Sequence, residues 1–596
     1  MMGIDDFATT VNLADALSGC AEPSPQCAFP QHSCEELDAF LGRADDAGLL
    51  TMEAILKGPL GLRMFSRWAS TFVQGGGAVR AAAHFLVDVA LLKTKNDAAL
   101  YESIMGTYFG NDARVERDLP CDLRRAPRPS TADATLYKTH VQDAALLGLE
   151  GRLARPSKAP SFRRETSIIS RDKLPLVHGA SLIAKDAPFQ DQFNIIEDLM
   201  LAFCEKVALP CFLCRDANPD LYAYLGYLKT QVEAKPCEED FETIRVMGKG
   251  GFGLVKGCKT LRTGKMYALK EMDLKHVTKK KAKVLCDAEH ACLTHPVVAD
   301  SPFIVSLIYA FQSSSALCLV LDLMTGGDLS FHLDRAPSRR FPEEAARYYA
   351  ARTLLGLEAL HDAGFVYRDL KPENILVDGD GRCRLSDLGL AALIPQKGVA
   401  GTPGYLAPEM LQGHKYGTEV DWWSFGCLLY ELVSGTSPFR TAEARKTYEG
   451  DAVASANQAT LEMSVEYPPY FSGELKDLLS KLLQKDPEQR LCKNVAAHAF
   501  FSSLNWSVLR NDPDPDTIEG SQEAPPFAPG NSLNVEDPDE IGTFPDLPDI
   551  VVDPGMFPEA SWLYVSETKY QEEVVWLLQY QEKAAPKKSS SFCTIA

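Results

Sequence analysis

The amino-acid sequence predicts an α+β protein in which a helical N-terminal region precedes a segment that starts as strands and continues as helices. Apolar residues recur at helical spacing in several stretches between Glu35 and Val232, whereas strand character with closely spaced glycines begins at Phe241. The length of 596 residues is too great for one hydrophobic core. The chain is therefore expected to form two or three domains.

Composition and charge narrow the classes of function. Hydrophobic residues make up 45% and charged residues 24% of the chain, as in ordinary globular proteins. The formal net charge of −20 argues against nucleic acid as a main partner. No run of eighteen apolar residues and no secretory pattern of basic then apolar residues is found, so neither a transmembrane helix nor a signal peptide is expected.

The region before the strands divides into three predicted parts. Ile4, Phe7 and Val11 fall on one face of a short amphipathic helix within residues 1–18. A helical bundle is predicted for residues 35–232. It is interrupted at about 111–186 by a stretch enriched in Pro, Arg, Ser and Thr, which is predicted to be a disordered insert.

The first strands carry a glycine-rich loop of the pattern G-x-G-x-x-G-x-V. Glycines let the backbone fold closely over phosphate groups, but such loops also bind dinucleotides. The loop alone therefore does not distinguish an ATP site from a dinucleotide site. Lys270, in Tyr-Ala-Leu-Lys, and Glu289, in a helical pattern, follow at the spacing of a phosphate-holding lysine and its carboxylate partner. An isolated lysine or glutamate is usually a surface charge, but the spacing of these two residues after the glycine-rich loop favours a role in ATP binding. The predicted ATP-binding residues are Gly248, Gly250, Gly251, Phe252, Gly253, Val255, Lys270 and Glu289.

The charges needed for phosphoryl transfer follow in order. Asp369 and Lys371, in Tyr-Arg-Asp-Leu-Lys-Pro-Glu-Asn, are the predicted catalytic residues: the carboxylate accepts the proton of the attacking hydroxyl, and the ammonium neutralises the transferred phosphoryl group. Asn374 and Asp387 are the predicted Mg²⁺ ligands. These motifs predict a bilobal protein kinase fold over residues 241–504, with a small β-rich lobe, a large helical lobe, and ATP and Mg²⁺ as cofactors.

Two further contacts are expected in the large lobe. Glu409, in Ala-Pro-Glu, is predicted to form a buried ion pair with Arg490, and Asp421 is predicted to brace the catalytic loop. An idle kinase fold that serves as a scaffold remains the alternative to a competent enzyme.

The chain resembles the G protein-coupled receptor kinases, a branch of the AGC group of Ser/Thr kinases. The resemblance rests on Asp387-Leu-Gly389, on residues 321–329 (Leu-Asp-Leu-Met-Thr-Gly-Gly-Asp-Leu) and on residues 401–409 (Gly-Thr-Pro-Gly-Tyr-Leu-Ala-Pro-Glu). Residues 57–65 and 85–89 resemble the start of an RGS-homology bundle, and residues 534–544 an AGC tail. The resemblance implies an all-α RGS-homology bundle inserted around the kinase domain. It also implies an AGC-type tail at 505–556, terminal helices at 557–583 that return to the bundle, and a polar tail at 584–596.

The resemblance also implies partners. Activated G protein-coupled receptors are the expected substrates, phosphorylated on Ser or Thr and thereby desensitised. A G protein subunit, bound through the RGS-homology domain, is a second partner that the resemblance leaves open. The sequence ends in Cys593-Thr-Ile-Ala, a C-a-a-X pattern for prenylation, as in the visual-type subgroup. A cytoplasmic protein held peripherally on membranes is expected. An AGC kinase with soluble substrates remains the alternative.

The activation segment carries an unusual feature. No Ser, Thr or Tyr occurs between Leu388 and Gly401, so no phosphate can pair there with Arg368 in the usual way. The free enzyme is therefore expected to hold Lys270, Glu289 and Asp387 out of register until a receptor folds the N-terminal helix against the small lobe.

Overall fold

The computed structural model describes the larger part of the chain. The described residues are 32–46, 49–71, 209–213, 220–448, 450–510, 512, 523–529, 547, 550–553 and 555–584. The predicted helix within residues 1–18, the insert at about 111–186 and Cys593 lie outside them. The chain divides into two compact units, and their described parts are residues 234–573 on one side and residues 32–233 with 574–584 on the other.

The second unit is helical, as the apolar periodicity predicts. Its helices are α1 (Cys34–Asp46), α2 (Met52–Lys57), α3 (Pro59–Thr71), α4 (Leu209–Phe212) and α5 (Leu221–Val232). The Thr51 side chain caps α2 by accepting a hydrogen bond from the backbone N–H of Ala54 at 3.1 Å. Phe65, Trp68 and Phe212 form a buried aromatic cluster with ring centroids 5.2–5.5 Å apart, which joins α3 to α4.

The first unit begins with an antiparallel sheet in the order β1-β2-β3-β5-β4-β13. Its strands are β1 (Phe241–Lys249), β2 (Gly253–Thr260), β3 (Met266–Asp273), β4 (Leu307–Gln312), β5 (Ala316–Asp322) and β13 (Tyr564–Val565). The last strand comes from near the end of the described chain and pairs with β4 through Tyr564 and Ala310. The sheet is therefore completed by a segment remote in sequence.

Three short helices accompany this sheet. They are α6 (Leu274–Lys279), α7 (Lys283–Leu293) and α8 (Pro296–Ala299). Asp273 ends β3 and caps α6, since its side chain accepts from the backbone N–H of His276 at 2.9 Å. Glu289 is one of the buried residues of helix α7, and its carboxylate contacts Lys270 of β3. The lysine strand β3 and the glutamate helix α7 are thereby placed next to one another.

The remainder of the first unit is mainly helical. Its helices are α9 (Leu329–Arg335), α10 (Glu343–Asp362), α11 (Pro408–Leu411), α12 (Glu419–Ser434), α13 (Ala442–Thr447), α14 (Ala452–Glu462), α15 (Gly473–Leu482), α16 (Trp506–Arg510), α17 (Glu559–Trp562) and α18 (Glu567–Ala584), the last of which continues into the second unit. Short 3₁₀ turns lie at Glu238–Asp240, Pro337–Arg339, Pro372–Asn374, Leu388–Leu390, Val495–Ala497 and Ala499–Phe501. Helix α16 lies at the start of the tail predicted for residues 505–556.

The core of the helical lobe positions the short strands beneath the cleft. Helices α10 and α12 are buried along most of their length and pack on each other. The short strands of the lobe are β6 (Gly327–Asp328), β7 (Phe365–Val366), β8 (Ile375–Val377), β9 (Cys383–Leu385), β10 (Ala392–Leu393), β11 (Gln396–Lys397) and β12 (Lys415–Tyr416). The predicted α+β class and the succession of a β-rich lobe and a helical lobe are thus confirmed. None of the helices in the described part of the chain has the length and apolar character that crossing a bilayer requires.

Candidate active site

The glycine-rich loop is the turn between β1 and β2. Gly248 pairs with Val255 across the two strands, and the Gly250 N–H donates to the Gly253 carbonyl at 2.8 Å, which closes the turn. A Cβ at Gly253 would lie 1.7 Å from the Glu271 carbonyl oxygen, so packing alone requires glycine there. A Cβ at Gly248 or at Gly251 would meet nothing within 4 Å. Packing therefore does not explain those two glycines, whereas glycine suits a position where the backbone approaches a ligand closely.

Lys270 is brought opposite this loop by sheet register. It pairs with Val255 in the β2–β3 ladder, and its Nζ lies 2.6 Å from Glu289 Oε1 and 3.0 Å from Asp387 Oδ1. The predicted ion pair between Lys270 and Glu289 is confirmed. The expectation that Lys270, Glu289 and Asp387 lie out of register is wrong for this conformation, in which one ammonium joins both carboxylates.

Attraction within this trio accounts for its geometry. Burial by itself lowers the pKa of Lys270, but the carboxylates of Glu289 and Asp387 outweigh burial, and the pKa lies above the ordinary lysine value. Lys270 in turn holds the pKa of Asp387 below the ordinary aspartate value. The lysine stays charged, and the two carboxylates hold it without help from a phosphorylated loop.

The catalytic loop gathers a second polar cluster around Asp369. Lys371 Nζ lies 2.9 Å from Asp369 Oδ2, and the Asn374 amide nitrogen donates to the same oxygen at 2.9 Å. The Thr402 hydroxyl donates to Asp369 Oδ1 at 2.6 Å and accepts from Lys371 Nζ at 2.9 Å. Both carboxylate oxygens are held, so the direction of the Asp369 side chain is set before any substrate arrives.

Thr402 belongs to this cluster, although the predicted site set leaves it out. It lies in residues 401–409, and nothing in the linear pattern links it to Asp369. Its contact with that carboxylate depends on how the activation segment folds back over the catalytic loop. Thr402 is therefore found only when the loop is seen in three dimensions.

The catalytic loop is braced from below, as predicted. The Asp421 carboxylate is buried and accepts from the backbone N–H groups of Tyr367 and Arg368, both at 2.8 Å, and it contacts His361 Nε2 at 2.8 Å. Arg368 has a φ of 72° and Asp387 a φ of 47°, both in the left-handed region that side chains other than glycine rarely adopt. Such residues cost about 1–3 kcal/mol each and persist where the surroundings over-determine them, commonly at active sites.

Two side chains fit a divalent cation. The Asp387 side chain is 56% exposed, which leaves the carboxylate accessible to a cation. The Asn374 amide nitrogen also donates to the Asp369 backbone carbonyl at 2.8 Å, so the amide oxygen is the atom left for a metal. Carboxylate and amide oxygens are hard ligands of the kind that Mg²⁺ takes.

Comparison with known proteins agrees with this arrangement. The protein kinase domain family matches residues 241–501. Rhodopsin kinase GRK1 of Homo sapiens is 37% identical over 387 residues, which cover 62% of this chain and 65% of that protein. G protein-coupled receptor kinase 2 of Drosophila melanogaster is 40% identical over 331 residues, covering 53% of this chain and 44% of that protein. G protein-coupled receptor kinase 1 of Caenorhabditis elegans is 40% identical over 349 residues, covering 55% of this chain and 53% of that protein. The chain thus spans less than two thirds of the length of each of these relatives.

Proposed function

We propose that this chain is a member of the G protein-coupled receptor kinases and transfers the γ-phosphate of ATP to Ser or Thr residues of activated G protein-coupled receptors. The observation that carries the proposal is the pair of charged clusters in the cleft, one centred on Lys270 and one on Asp369. The receptor as substrate is supported by the names of the relatives.

The cluster around Asp369 suits the attack of a hydroxyl group. One oxygen of the Asp369 carboxylate takes the proton of the substrate hydroxyl as that oxygen bonds to the γ-phosphorus. The bond from the γ-phosphorus to the bridging oxygen breaks, and ADP leaves with its electron pair. Lys371, 2.9 Å from the same carboxylate, offsets the negative charge of the transferred phosphoryl group.

The cluster around Lys270 suits the binding of nucleotide. The ammonium of Lys270 would hold the α- and β-phosphates, and Glu289 fixes its position from a side chain that is 3% exposed. Asn374 and Asp387 would hold Mg²⁺, which neutralises phosphate charge when bound. Positioning and charge neutralisation are what phosphoryl transfer needs from a protein.

The helical unit is proposed to be an RGS-homology bundle. Residues 57–65, which carry the sequence likeness, span the end of α2, the turn at Gly58 and the first half of α3. The turn is close-packed, since a Cβ at Gly61 would lie 2.3 Å from the Ile55 carbonyl oxygen. Whether the unit binds a G protein subunit is tested by titrating the full chain with a Gα subunit.

Membrane attachment is proposed through a prenyl group on Cys593, with the protein otherwise cytoplasmic. One lipid chain gives weak and reversible binding. Mass spectrometry of protein purified from cells tests the modification, and an unmodified Cys593 in full-length protein contradicts it.

The decisive experiment compares three substrates with the purified full chain. An agonist-occupied receptor in vesicles, the same receptor with antagonist, and a soluble acidic protein are each incubated with labelled ATP. Strong labelling of the agonist-occupied receptor alone supports the proposal. Equal labelling of all three indicates a kinase for soluble substrates, and no labelling of any indicates a scaffold with an idle kinase fold.

A further inference from the structure

The tip of the glycine-rich loop is fastened to the residues that flank helix α6, Asp273 before it and Lys280 after it. The Phe252 carbonyl accepts from the Asp273 N–H at 3.1 Å, and the Phe252 ring packs against the hydrophobic core. Lys280 directly follows α6, and its Nζ donates to the Gly251 carbonyl at 2.6 Å. The same ammonium lies 5.4 Å from the centroid of the Phe252 ring. Two residues at the loop tip therefore share one cation.

We propose that Lys280 is a positioning residue that latches the tip of the glycine-rich loop over the nucleotide phosphates. This inference rests on the proposed function, because the loop has phosphates to cover only if the chain binds ATP. A glycine-rich turn is free to open, and Gly251 has no side chain of its own to anchor it. A charge-assisted hydrogen bond to its carbonyl, with a cation–π contact to the next ring, restricts that opening.

The latch is distinct from the Lys270 cluster. Lys270 lies in strand β3 and contacts Glu289 and Asp387. Lys280 contacts the loop backbone at Gly251 and belongs to none of the predicted site sets. Because Lys280 is solvent-exposed, its contribution is modest. Loss of the latch is expected to weaken nucleotide binding by about threefold to tenfold, the range of a weak charge-assisted hydrogen bond.

A general attraction of phosphate to basic residues is the competing explanation. Lys279 and Lys281 flank Lys280 and are exposed as well. The Lys279 side chain forms no hydrogen bond or ion pair with the described residues and thus offers a matched control of the same charge. If charge alone matters, removing either lysine has the same effect, whereas a latch depends on Lys280 only.

The test measures binding of Mg·ADP and of a non-hydrolysable ATP analogue to the full chain by titration calorimetry. We expect Lys280→Met to raise the Kd about threefold to tenfold, while Lys279→Met and Lys280→Arg stay close to the unsubstituted protein. The melting temperature is recorded for each variant, since a purely structural role lowers it and leaves the Kd unchanged.

Each other outcome has a separate meaning. Unaltered binding by Lys280→Met overturns the latch, and so does an equal loss in Lys279→Met. Failure of the unsubstituted protein to bind either nucleotide contradicts the proposed function itself. An increase in the KM for ATP at nearly constant kcat in a peptide assay provides the second readout.

Discussion

Glu409→Ala tests the buried ion pair that holds the helical lobe together. The structure confirms the predicted pair: Arg490 Nη1 and Nη2 lie 2.6 and 3.0 Å from the two oxygens of Glu409. The Arg490 side chain is 0% exposed and that of Glu409 3%. Removing the carboxylate leaves a guanidinium charge buried without its counter-charge, which costs about 3–5 kcal/mol.

The lower end of that range applies here. Arg490 keeps two backbone acceptors, the Glu419 carbonyl at 2.9 Å and the Gln484 carbonyl at 3.1 Å. These retain hydrogen bonds but supply no full negative charge. At about 2–4 °C per kcal/mol for a domain of this size, a loss of about 3 kcal/mol lowers the melting temperature by roughly 6–12 °C.

The assay is thermal unfolding followed by fluorescence, with a surface pair as control. Asp334 pairs with Arg339 at 2.5 Å, but their side chains are 52% and 58% exposed. Asp334→Ala is expected to change stability by no more than about 1 kcal/mol. A fall in melting temperature for Glu409→Ala no larger than that for Asp334→Ala refutes the reasoning.

Asp369→Asn is expected to lower kcat by at least about a hundredfold, because the proton acceptor is lost. The circular dichroism spectrum and the nucleotide affinity should stay unchanged. Near-normal turnover would falsify the role of Asp369 as the proton acceptor. Deleting residues 1–17, or Val11→Asp, is expected to lower phosphorylation of an activated receptor steeply and to spare a soluble peptide, as parallel rate assays on both substrates check; equal losses contradict this. His290 stacks on Trp562 at 4.5 Å, and burial holds its pKa below the ordinary 6.5. As pH falls, the unfolded chain therefore takes up the proton first, so the stability that neutral His290 contributes declines below about pH 6.5. The melting temperature of His290→Phe should fall less over that pH range than that of the unsubstituted protein. Identical melting temperature profiles against pH contradict this reasoning.

Local motifs could be read from the sequence because their chemistry depends on short spacings. Gly248 to Val255 form one turn, and Asp369 to Asn374 one loop, so the spacing of neighbours along the chain already fixes which groups can face a ligand. The ion pair of Lys270 with Glu289 was also predictable, since one strand and the next long helix carry its members.

Contacts between distant segments could not be read in this way. Strand β13 completes the small-lobe sheet beside β4. No linear pattern marks Tyr564 of β13 as the partner of Ala310 in β4. Glu573 is 1% exposed and accepts from the hydroxyls of Thr263, Tyr267 and Tyr309, which ties the start of α18 to the sheet. A glutamate in a helical sequence pattern predicts a solvent-exposed face, and only the fold shows that this one is buried.

The activation segment shows why one expectation was wrong. That expectation assumed that a loop which no phosphate can order leaves Lys270, Glu289 and Asp387 out of register. In the structure Arg368 Nε donates to the Leu390 carbonyl at 2.6 Å, and Nη1 lies 3.5 Å from the Tyr416 hydroxyl. That hydroxyl in turn donates to the Gly398 carbonyl at 3.0 Å. The Leu390 carbonyl and the Tyr416 hydroxyl thus give Arg368 polar partners without a phosphate.

Pairing of β11 with β12 extends the same arrangement, because it fixes Gln396 and Lys397 against Tyr416 and Lys415. The segment is ordered by its own backbone hydrogen bonds. The ammonium of Lys270 already contacts the carboxylates of Glu289 and Asp387. A receptor that acts on this chain as proposed therefore has no Lys270–Glu289 pair left to assemble. What it can still supply is the substrate hydroxyl, held next to Asp369. Dependence on the receptor is then expected in the delivery of the hydroxyl group, and not in the formation of the Lys270–Glu289 pair.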